Sequence, residues 1–393
     1  MDRSLKLWRS HSEAVLVIAL LLFLIGTVNI FSASFVLAGQ MLHDSYYFLK
    51  RHLLAFFIGA VLLVFFAKID YRRLVKPWPL LVMIMAVLGM LMAVHFGGVN
   101  ANGARRWLKL GVQFQPSEFA KLAAILMAAA YLGPRVEKKQ PITLFSWPFY
   151  FTLIMGGLVL KQPDMGTAMV IVGLCLLLYI IAGIPRHELL GLGMAGAGAV
   201  VYFIFAAAYR AERIMAWIDP WSHQQDSGYQ TVQSLLAIGS GGFFGAGLGM
   251  GASKFHYLPE AHTDFAFAVL CQEMGFIGAL AVILLLAALA WYGIQIALKA
   301  ADGVGMIMAT GIVAMIIGQA IGNAAMVSGV IPVTGIPMPF ISFGGTFLLV
   351  IMAALGILIS VGRRAAGIVS SAPGPEKPMG RTRLRLAGKT QQP

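Results

Sequence analysis

The segment Leu258-Pro259-Glu260-Ala261-His262-Thr263-Asp264-Phe265 stands where a long polar stretch gives way to an apolar helix pattern. The polar stretch runs over residues 210–263, and the apolar pattern continues over 264–297. Two carboxylates, a histidine and a hydroxyl therefore lie where a loop enters a membrane helix. Thr263 or Asp264 suits the N-cap of that helix, because a side-chain oxygen can accept from its free N–H groups. Asp264 can also be a base that faces a cleft, and the two roles are compatible.

The composition is that of an integral membrane protein, because 59% of the residues are hydrophobic, 11% are charged and the mean hydropathy is +0.82. A membrane helix needs about 20 apolar residues. The spans predicted on this basis are 14–36, 52–68, 77–97, 117–133, 143–160, 166–184, 188–209, 264–297, 304–327 and 343–362. The sequence thus predicts an all-α membrane protein of about ten helices, with a large extracytoplasmic loop at 210–263.

The net charge of +13 follows the positive-inside pattern. Most lysines and arginines fall in cytoplasmic segments if the N-terminus lies in the cytoplasm. Both termini are therefore predicted to be cytoplasmic, with residues 1–13 before the membrane domain (14–362) and a basic, disordered tail at 363–393. Clustering at short loops and in the tail argues against nucleic acid as a partner and favours contact with the membrane.

The segment Asn102-Gly103-Ala104-Arg105-Arg106-Trp107, in the loop before the fourth span, joins a turn signal to two arginines and a tryptophan. Arg106 and its neighbour can bind a phosphate through forked hydrogen bonds. The segment can equally be an interfacial anchor, with Trp107 at headgroup depth and the arginines reaching lipid phosphate. Both interpretations stay open on the sequence.

Charged residues also stand at the starts of the fourth and sixth spans. Glu118 and Lys121 are three residues apart, so they share a helix face and can pair. A lysine inside a membrane helix needs such a partner or a water-filled cavity. Asp164, in the short link before the sixth span, can cap that helix or order the arginines of the earlier loop. A polar site near these three residues is expected.

Three further stretches carry hypotheses. The glycine-dense run from Gly239 to Gly251 lacks the strand and the Gly-Lys-Ser/Thr ending of a nucleotide loop. We interpret it as flexible packing against the bilayer, while close approach to a pyrophosphate stays open. Glu273 lies well inside the eighth span, where an ionisable group is typical of a transporter relay. Segment 331–345 has three prolines in eight residues; it cannot be a regular helix and is predicted to be a re-entrant wall of a cleft.

Together these motifs resemble the SEDS family, the FtsW, RodA and SpoVE proteins. The matching blocks stand in the family's order over roughly residues 14–362 and are Asn102 to Trp107, Gln115 to Glu118, Gln162 to Ala168, Leu258 to Phe265 and Pro332 to Gly345. Ala261 gives its block the form of the FtsW division branch, since RodA proteins usually carry Arg there. Two positions depart from the family's usual residues: Phe343 stands where Tyr is common, and Thr346-Phe347 where a Ser-Ser pair is common. These departures weaken any role for hydroxyl groups in that loop.

The resemblance implies a peptidoglycan glycosyltransferase of the bacterial inner membrane, at the division septum. Its substrate would be lipid II, an undecaprenyl-pyrophosphate-linked disaccharide pentapeptide, and its partner a class B penicillin-binding transpeptidase within the divisome. The family's essential aspartate falls on Asp264. The residues expected to bind substrate are Arg106, Trp107, Glu118, Lys121, Asp164, Glu260, His262 and Thr263.

Polymerisation of such a substrate needs a base on the acceptor hydroxyl and positive charge on the leaving pyrophosphate. We predict Asp264 as the base, and Arg106 as the stabilising charge, with Lys121 or a divalent cation (Mg²⁺ or Mn²⁺) as an open addition. No metal site built from the protein's own residues is predicted. An α-linked donor that gives a β-linked polymer implies inversion. A lipid II flippase, favoured by Glu273 and Lys121, and a non-catalytic divisome scaffold are the alternatives.

Overall fold

A computed structural model of the chain describes residues 10–101, 104–110, 112–205, 208–254 and 257–365. The helices are α1 (His11–Leu42), α2 (Tyr47–Lys68), α3 (Tyr71–Leu74), α4 (Pro77–Gly97), α5 (Pro116–Glu137), α6 (Trp147–Leu160), α7 (Met165–Ala182), α8 (Arg186–Phe205), α9 (Ala208–Ile218), α10 (Tyr229–Gly241), α11 (Ala266–Leu298), α12 (Gly303–Val327) and α13 (Gly345–Ala365). Short 3-10 turns cover Trp221–His223 and Ala252–Lys254. The helical class predicted from the sequence is confirmed.

Within the described ranges, eight helices are long and apolar enough to cross a membrane: α1, α2, α4, α5, α7, α11, α12 and α13. The predicted spans 143–160 and 188–209 correspond to α6 and α8. Helix α6 has 14 residues, fewer than the roughly 20 that a perpendicular span needs. The protein is a multi-pass membrane protein, and the count of ten spans stays a prediction.

Helices α5, α12 and α13 form the centre of the bundle, and α2 and α4 lie at its edge with most of their surface exposed. Helix α5 packs against α12, and α13 packs against α2. Small side chains permit such close packing, because dispersion contacts rather than water exclusion hold membrane helices together. The buried alanines of α5 are Ala120, Ala123, Ala124, Ala128 and Ala129.

A small antiparallel sheet between α4 and α5 was not predicted. Its strands are β1 (Val99–Ala101), β2 (Ala104–Leu110) and β3 (Val112–Phe114), in the order β1-β2-β3. Trp107 pairs with Val99, and Lys109 pairs with Gln113. The ladder satisfies backbone groups in a segment that would otherwise be an irregular loop, and it carries Arg106. The Asn102-Gly103 turn lies outside the described residues.

The predicted loop at 210–263 contains regular structure. Helix α9 enters it, α10 lies within it, and Trp217 Nε1 donates to the Gly329 carbonyl oxygen at 3.0 Å. Residues 242–251, here called the glycine loop, follow α10. The flexibility expected of these glycines is wrong, because the backbone of this loop is hydrogen-bonded to α11 through Ala246 N–H and the Gln272 carbonyl oxygen at 2.9 Å. Packing against the bilayer stays a prediction.

Helix α13 runs through residues 363–365, which the sequence placed in the tail. Arg364 Nη2 lies 2.7 Å from Asp70 Oδ2, and Arg363 Nη1 donates to the Ala67 carbonyl oxygen at 3.3 Å. These contacts join the end of α13 to the end of α2. Residues 1–9 and 366–393 lie outside the described residues, so the boundaries proposed for both terminal segments stay predictions.

Residues 331–344, here called the proline-rich loop, are non-helical as predicted. Met338, Phe340 and Ile341 are buried. The loop bonds to itself where Met338 N–H donates to Ser342 Oγ at 2.9 Å. It also lies against α1, since a Cβ built at Gly26 would overlap the Phe340 carbonyl oxygen. The loop is therefore packed inside the protein, as non-helical backbone in a membrane protein must be.

We expect Gly26→Ala to destabilise the fold by about 1–3 kcal/mol, because the added methyl group forces the proline-rich loop off α1. Gly89→Ala in α4 is the matched control, since no atom lies within 4 Å of the added carbon; it should leave stability unchanged or raise it by up to about 1 kcal/mol. Thermal unfolding of the detergent-solubilised variants measures both. Equal stability of the two variants would contradict the packing described.

Candidate active site

Asp264 precedes α11, and its carboxylate does not cap that helix. The N-cap residue is Phe265, and no side chain accepts from the first turn. The cap predicted at Thr263 or Asp264 is therefore wrong. Thr263 Oγ1 donates instead to Glu260 Oε2 at 2.7 Å. The Asp264 side chain is half-buried and, not being used by the helix end, is available for other chemistry.

A tight turn at Glu260 explains why the cap fails. Glu260 has a φ of +53°, a left-handed conformation that costs a non-glycine residue about 1–3 kcal/mol. Its carbonyl oxygen accepts from Thr263 N–H at 3.1 Å and from Phe265 N–H at 3.2 Å. The turn thereby occupies the backbone around Asp264 and delays the helix until residue 266.

Asn323 of α12 fixes the backbone at Asp264. Its Nδ2 donates to the Asp264 carbonyl oxygen at 2.6 Å and to the Ile336 carbonyl oxygen at 2.7 Å. One amide thus joins the segment before α11 to the proline-rich loop. Gly335 of that loop has a φ of +71°, and a Cβ there would lie 3.4 Å from Asp264 Oδ2. Glycine therefore leaves the loop backbone close to the carboxylate.

His262 is packed between aromatic rings. Its ring centroid lies 4.4 Å from that of Phe48 and 6.0 Å from that of Phe343. Its carbonyl oxygen accepts from Phe343 N–H at 2.9 Å. Burial lowers the pKa of His262, against the opposing charge of Glu260, which favours the neutral imidazole. The residue joins α2, the Asp264 turn and the proline-rich loop; its proposed contact with substrate stays a prediction.

Arg106 and Asp164 lie close together, as predicted by the interpretation in which Asp164 orders the arginines of the earlier loop. Asp164 Oδ1 accepts from Thr167 N–H at 3.2 Å, so it is the N-cap of α7. The same oxygen lies 4.0 Å from Arg106 Nη1, and Gln115 Nε2 donates to Oδ2 at 3.1 Å. Arg106 also donates to the Pro163 carbonyl oxygen. The cap and the ordering of an arginine are thus both confirmed.

Arg106 keeps part of its guanidinium available. Its side chain is 33% exposed, and its buried Nε has no hydrogen-bond partner among the described residues. Trp107 is half-buried and follows Arg106 on β2. Arg106 is the extra residue of a bulge in β2, since Val99 pairs with Trp107 and Asn100 pairs with Arg105, and a bulge of this kind re-aims the side chain that it carries.

Glu118 and Lys121 form the predicted pair. Lys121 Nζ lies 2.7 Å from Glu118 Oε2, and the side chains are 2% and 4% exposed. Lys121 also donates to Gln319 Oε1 and lies 5.2 Å from the centre of the Phe347 ring. Its charge is therefore neutralised inside the bundle, and the pair stabilises the contact of α5 with α12.

The charges around Asp264 set its protonation. Burial, and next the negative charge of Glu260, raise the pKa of Asp264 to about 7; Arg106 opposes this shift and Asp164 adds to it. These four residues, here called the Asp264 cluster, therefore act on one another electrostatically. A carboxylate with a pKa near neutrality is suited to take and release a proton at cellular pH.

Comparison with known proteins shows the family of this chain. The family model of the FtsW, RodA and SpoVE cell cycle proteins matches residues 12–366. The chain belongs to the FtsW, RodA and SpoVE family. Stage V sporulation protein E of Bacillus subtilis is 40% identical over 89% of this chain and 96% of that protein. The probable peptidoglycan glycosyltransferase FtsW of Geobacter sp. (strain M18) is 39% identical over 91% and 98%.

Solved structures of the FtsW, RodA and SpoVE family share the fold. A chain of a peptidoglycan synthase complex, described for its coordination of polymerization and crosslinking, superposes with a TM-score of 0.73 at 29% identity, covering 89% of this chain and 97% of that one. The rod shape determining protein RodA of Thermus thermophilus gives 0.65 at 28% identity, covering 89% and 96%. Both likenesses extend over nearly the whole chain.

Several residues of the candidate site were missed by sequence reasoning. They are Gln115, Gln319 and Asn323. Gln319 and Asn323 were detectable, because two amides four residues apart on an apolar helix share one face and must find buried partners. Gln115 gave no such signal: its backbone N–H donates to Thr346 Oγ1 at 3.1 Å, across 231 residues. That contact also shows that Thr346 supplies a hydroxyl despite the departure from Ser-Ser.

No cluster of three His, Cys, Asp or Glu side chains within the described ranges could hold a metal ion. The sequence left Mg²⁺ or Mn²⁺ open as an addition to Arg106, and this stays a prediction, since Mg²⁺ is often held by one or two carboxylates together with substrate phosphates.

We expect Lys121→Met to destabilise the protein by about 3–5 kcal/mol, because it leaves Glu118 as a buried, unpaired charge. The double variant Lys121→Met/Glu118→Gln removes both charges and should recover most of the loss. Thermal unfolding of the two variants and of Glu118→Gln completes a double-mutant cycle. If the single and double variants were equally unstable, the ion pair would not account for the burial of Lys121.

Proposed function

We propose that this chain is a peptidoglycan glycosyltransferase that polymerises lipid II, with Asp264 as general base. The observation that carries the proposal is the Asp264 carboxylate, which is half-buried, not used as a helix cap, and held beside Gly335 by the Asn323 bonds to its backbone. The names of relatives such as the Geobacter FtsW support the reaction class. The raised pKa supports the role of a base.

The proposed reaction is one displacement at an anomeric carbon. The acceptor hydroxyl oxygen attacks that carbon as its proton passes to the Asp264 carboxylate. The new glycosidic bond forms while the bond to the pyrophosphate oxygen breaks, and the electron pair leaves with undecaprenyl pyrophosphate. A single displacement of an α-linked donor inverts the centre and gives a β-linked strand.

Arg106 is the better placed cation for the leaving group. A developing negative charge is stabilised most by donors that are fixed before the reaction. Arg106 is fixed by Asp164 and the Pro163 carbonyl, and a third of its side chain is exposed. Lys121, by contrast, is already paired with Glu118 and nearly fully buried. We therefore assign the pyrophosphate to Arg106 and a structural role to Lys121.

The flippase alternative rested on Glu273 and Lys121 as membrane charges without an obvious use. Each of these residues has an ion-pair partner. Glu273 Oε1 lies 3.1 Å from Lys254 Nζ, and Lys121 Nζ lies 2.7 Å from Glu118 Oε2. Fixed, paired charges suit a packed bundle better than a proton relay. No contact within the described ranges specifically favours the flippase or the scaffold, so the glycosyltransferase is the function we propose.

We further propose a class B penicillin-binding transpeptidase as the partner, and the inner membrane at the septum, with other divisome proteins, as the site of action. The support is the likeness to a chain of a peptidoglycan synthase complex. The matched relatives include both FtsW and stage V sporulation proteins. Division is therefore the proposed process, with sporulation as the outcome that a localisation experiment would distinguish.

Asp264→Asn and Asp264→Ala should lower lipid II polymerisation by about 10²- to 10⁴-fold, because each removes the base. The assay uses the purified full chain with its transpeptidase partner and no other glycosyltransferase, and glycan strands are resolved by gel. Asp44→Asn is the matched control, because Asp44 is an exposed carboxylate whose ion pair is with Lys50.

Each outcome of this assay decides something. Inactive Asp264 variants that remain folded and partner-bound support the base assignment. Variants that polymerise normally overturn it. A silent wild type with a competent partner overturns the glycosyltransferase itself, and lipid II transport across vesicles then becomes the leading measurement.

The rate of polymerisation should rise with pH through a pKa of about 7 and level off above it, because a general base acts when ionised. Glu260→Gln should move this rise to lower pH, since the Glu260 charge raises the pKa of Asp264. The pH dependence of kcat/KM measures the shift, with Asp44→Asn as the control that leaves it in place. A rate that falls with pH through the same range would identify Asp264 as an acid.

A further inference from the structure

Helix α11 is broken near its start. Gly275 has φ +64° and ψ −163°, which is not helical, so residues before and after it form two helical segments. The sequence predicted one continuous helix at 264–297, and the break at Gly275 shows that its continuity is wrong. A break in a helix frees backbone N–H and carbonyl groups, and in a membrane protein these groups need other partners.

The glycine loop supplies those partners. Ala246 N–H donates to the Gln272 carbonyl oxygen at 2.9 Å, and Gly247 N–H donates to the Glu273 carbonyl oxygen at 3.0 Å. In return, Phe276 N–H donates to the Gly242 carbonyl oxygen at 3.0 Å. The loop can approach this closely because a Cβ on Gly245 would overlap the backbone of Glu273.

An ion pair just after the glycine loop also binds it to α11 beside the break. Lys254 Nζ lies 3.1 Å from Glu273 Oε1, with the side chains 4% and 1% exposed. Ser32 Oγ of α1 donates to Glu273 Oε2 at 2.6 Å, and Lys254 Nζ donates to the Gly249 carbonyl oxygen. The pair thus joins the loop, α1 and the first segment of α11.

Gln272, the residue before Glu273, also bonds to the segments on either side of the glycine loop. Gln272 Oε1 accepts from Ser253 N–H at 3.2 Å, and Gln272 Nε2 donates to Ser240 Oγ at 2.9 Å. Ser253 connects these contacts to the candidate site, because its carbonyl oxygen accepts a hydrogen bond from Leu258 N–H at 3.0 Å. Leu258 is buried and opens the segment that carries Asp264.

We propose that Lys254 and Glu273 are positioning residues for Asp264. Their ion pair holds the glycine loop in the break of α11, and through Ser253 and Leu258 it fixes one end of the Asp264 segment, while Asn323 fixes the other. The inference rests on the proposed glycosyltransferase function and deepens it. The pair does not touch the substrate; it sets the place of the carboxylate that does.

A structural role and a positioning role make different predictions for the loss of both charges. Replacing a buried ion pair by apolar residues of similar volume is often neutral or stabilising for the fold. A base that moves by about 1 Å, however, can lose about 100-fold in rate. The decisive variant is therefore the double replacement Lys254→Met/Glu273→Leu, which leaves no unpaired charge.

The experiment compares this double variant with wild type and with the charge-swapped variant Lys254→Glu/Glu273→Lys, in the full chain with its transpeptidase partner. Asp70→Asn is the matched control, because it breaks the ion pair of Asp70 with Arg364, at the junction of α2 with α13. The measurements are kcat and KM for lipid II, thermal unfolding, and hydrogen exchange of the amides of Ala246 and Gly247.

For the apolar double variant we expect kcat to fall by about 10- to 100-fold, KM and the unfolding temperature to change little, and exchange at both amides to quicken. The charge-swapped variant should recover most of kcat, and Asp70→Asn should match wild type. An unchanged kcat, a double variant that fails to fold, or a loss that the swap does not recover would each overturn the positioning role. An inactive wild type would instead overturn the proposed function.

Discussion

The need to satisfy backbone polar groups away from water governs this structure. Three non-helical segments enter the bundle: the glycine loop, the turn that carries Asp264 and the proline-rich loop. Each is held by side chains or backbone from distant parts of the chain, as when Asn323 binds the Asp264 and Ile336 carbonyl oxygens together. Because hydrogen bonds between irregular segments are directional, the same contacts that make these segments tolerable also fix the geometry of the site.

Buried charged side chains, like buried backbone groups, need partners inside the bundle. Lys121 and Glu273 lie inside helices, and each is neutralised by a partner within 3.1 Å. The Asp264 cluster differs, because its carboxylates outnumber its single arginine and Asp264 keeps a part of its surface exposed. Burial, and next the excess of negative charge, raise the pKa of Asp264, and they do so beside Arg106, a third of whose side chain is exposed. Paired charges thus build the bundle, and the unbalanced cluster is available for chemistry.

The sequence predicted what local pattern determines. Helical class, the Glu118–Lys121 pair, the Asp164 cap and the non-helical prolines follow from spacing and composition. The N-cap at Thr263 or Asp264 failed because the left-handed turn at Glu260 moved the helix start to residue 266. The docking of the glycine loop on α11 could not be predicted either, since it depends on a break at Gly275 and on partners as distant in sequence as Ser32. Contacts of that range leave no periodic signal.

The most direct measurement of the central claim is a structure of the full chain, with its transpeptidase partner, bound to a lipid II analogue whose pyrophosphate cannot leave. The account predicts the acceptor sugar hydroxyl within hydrogen-bond distance of an Asp264 carboxylate oxygen and the pyrophosphate against the Arg106 guanidinium. A pyrophosphate bound away from Arg106, or an acceptor hydroxyl that faces a different base, would contradict it.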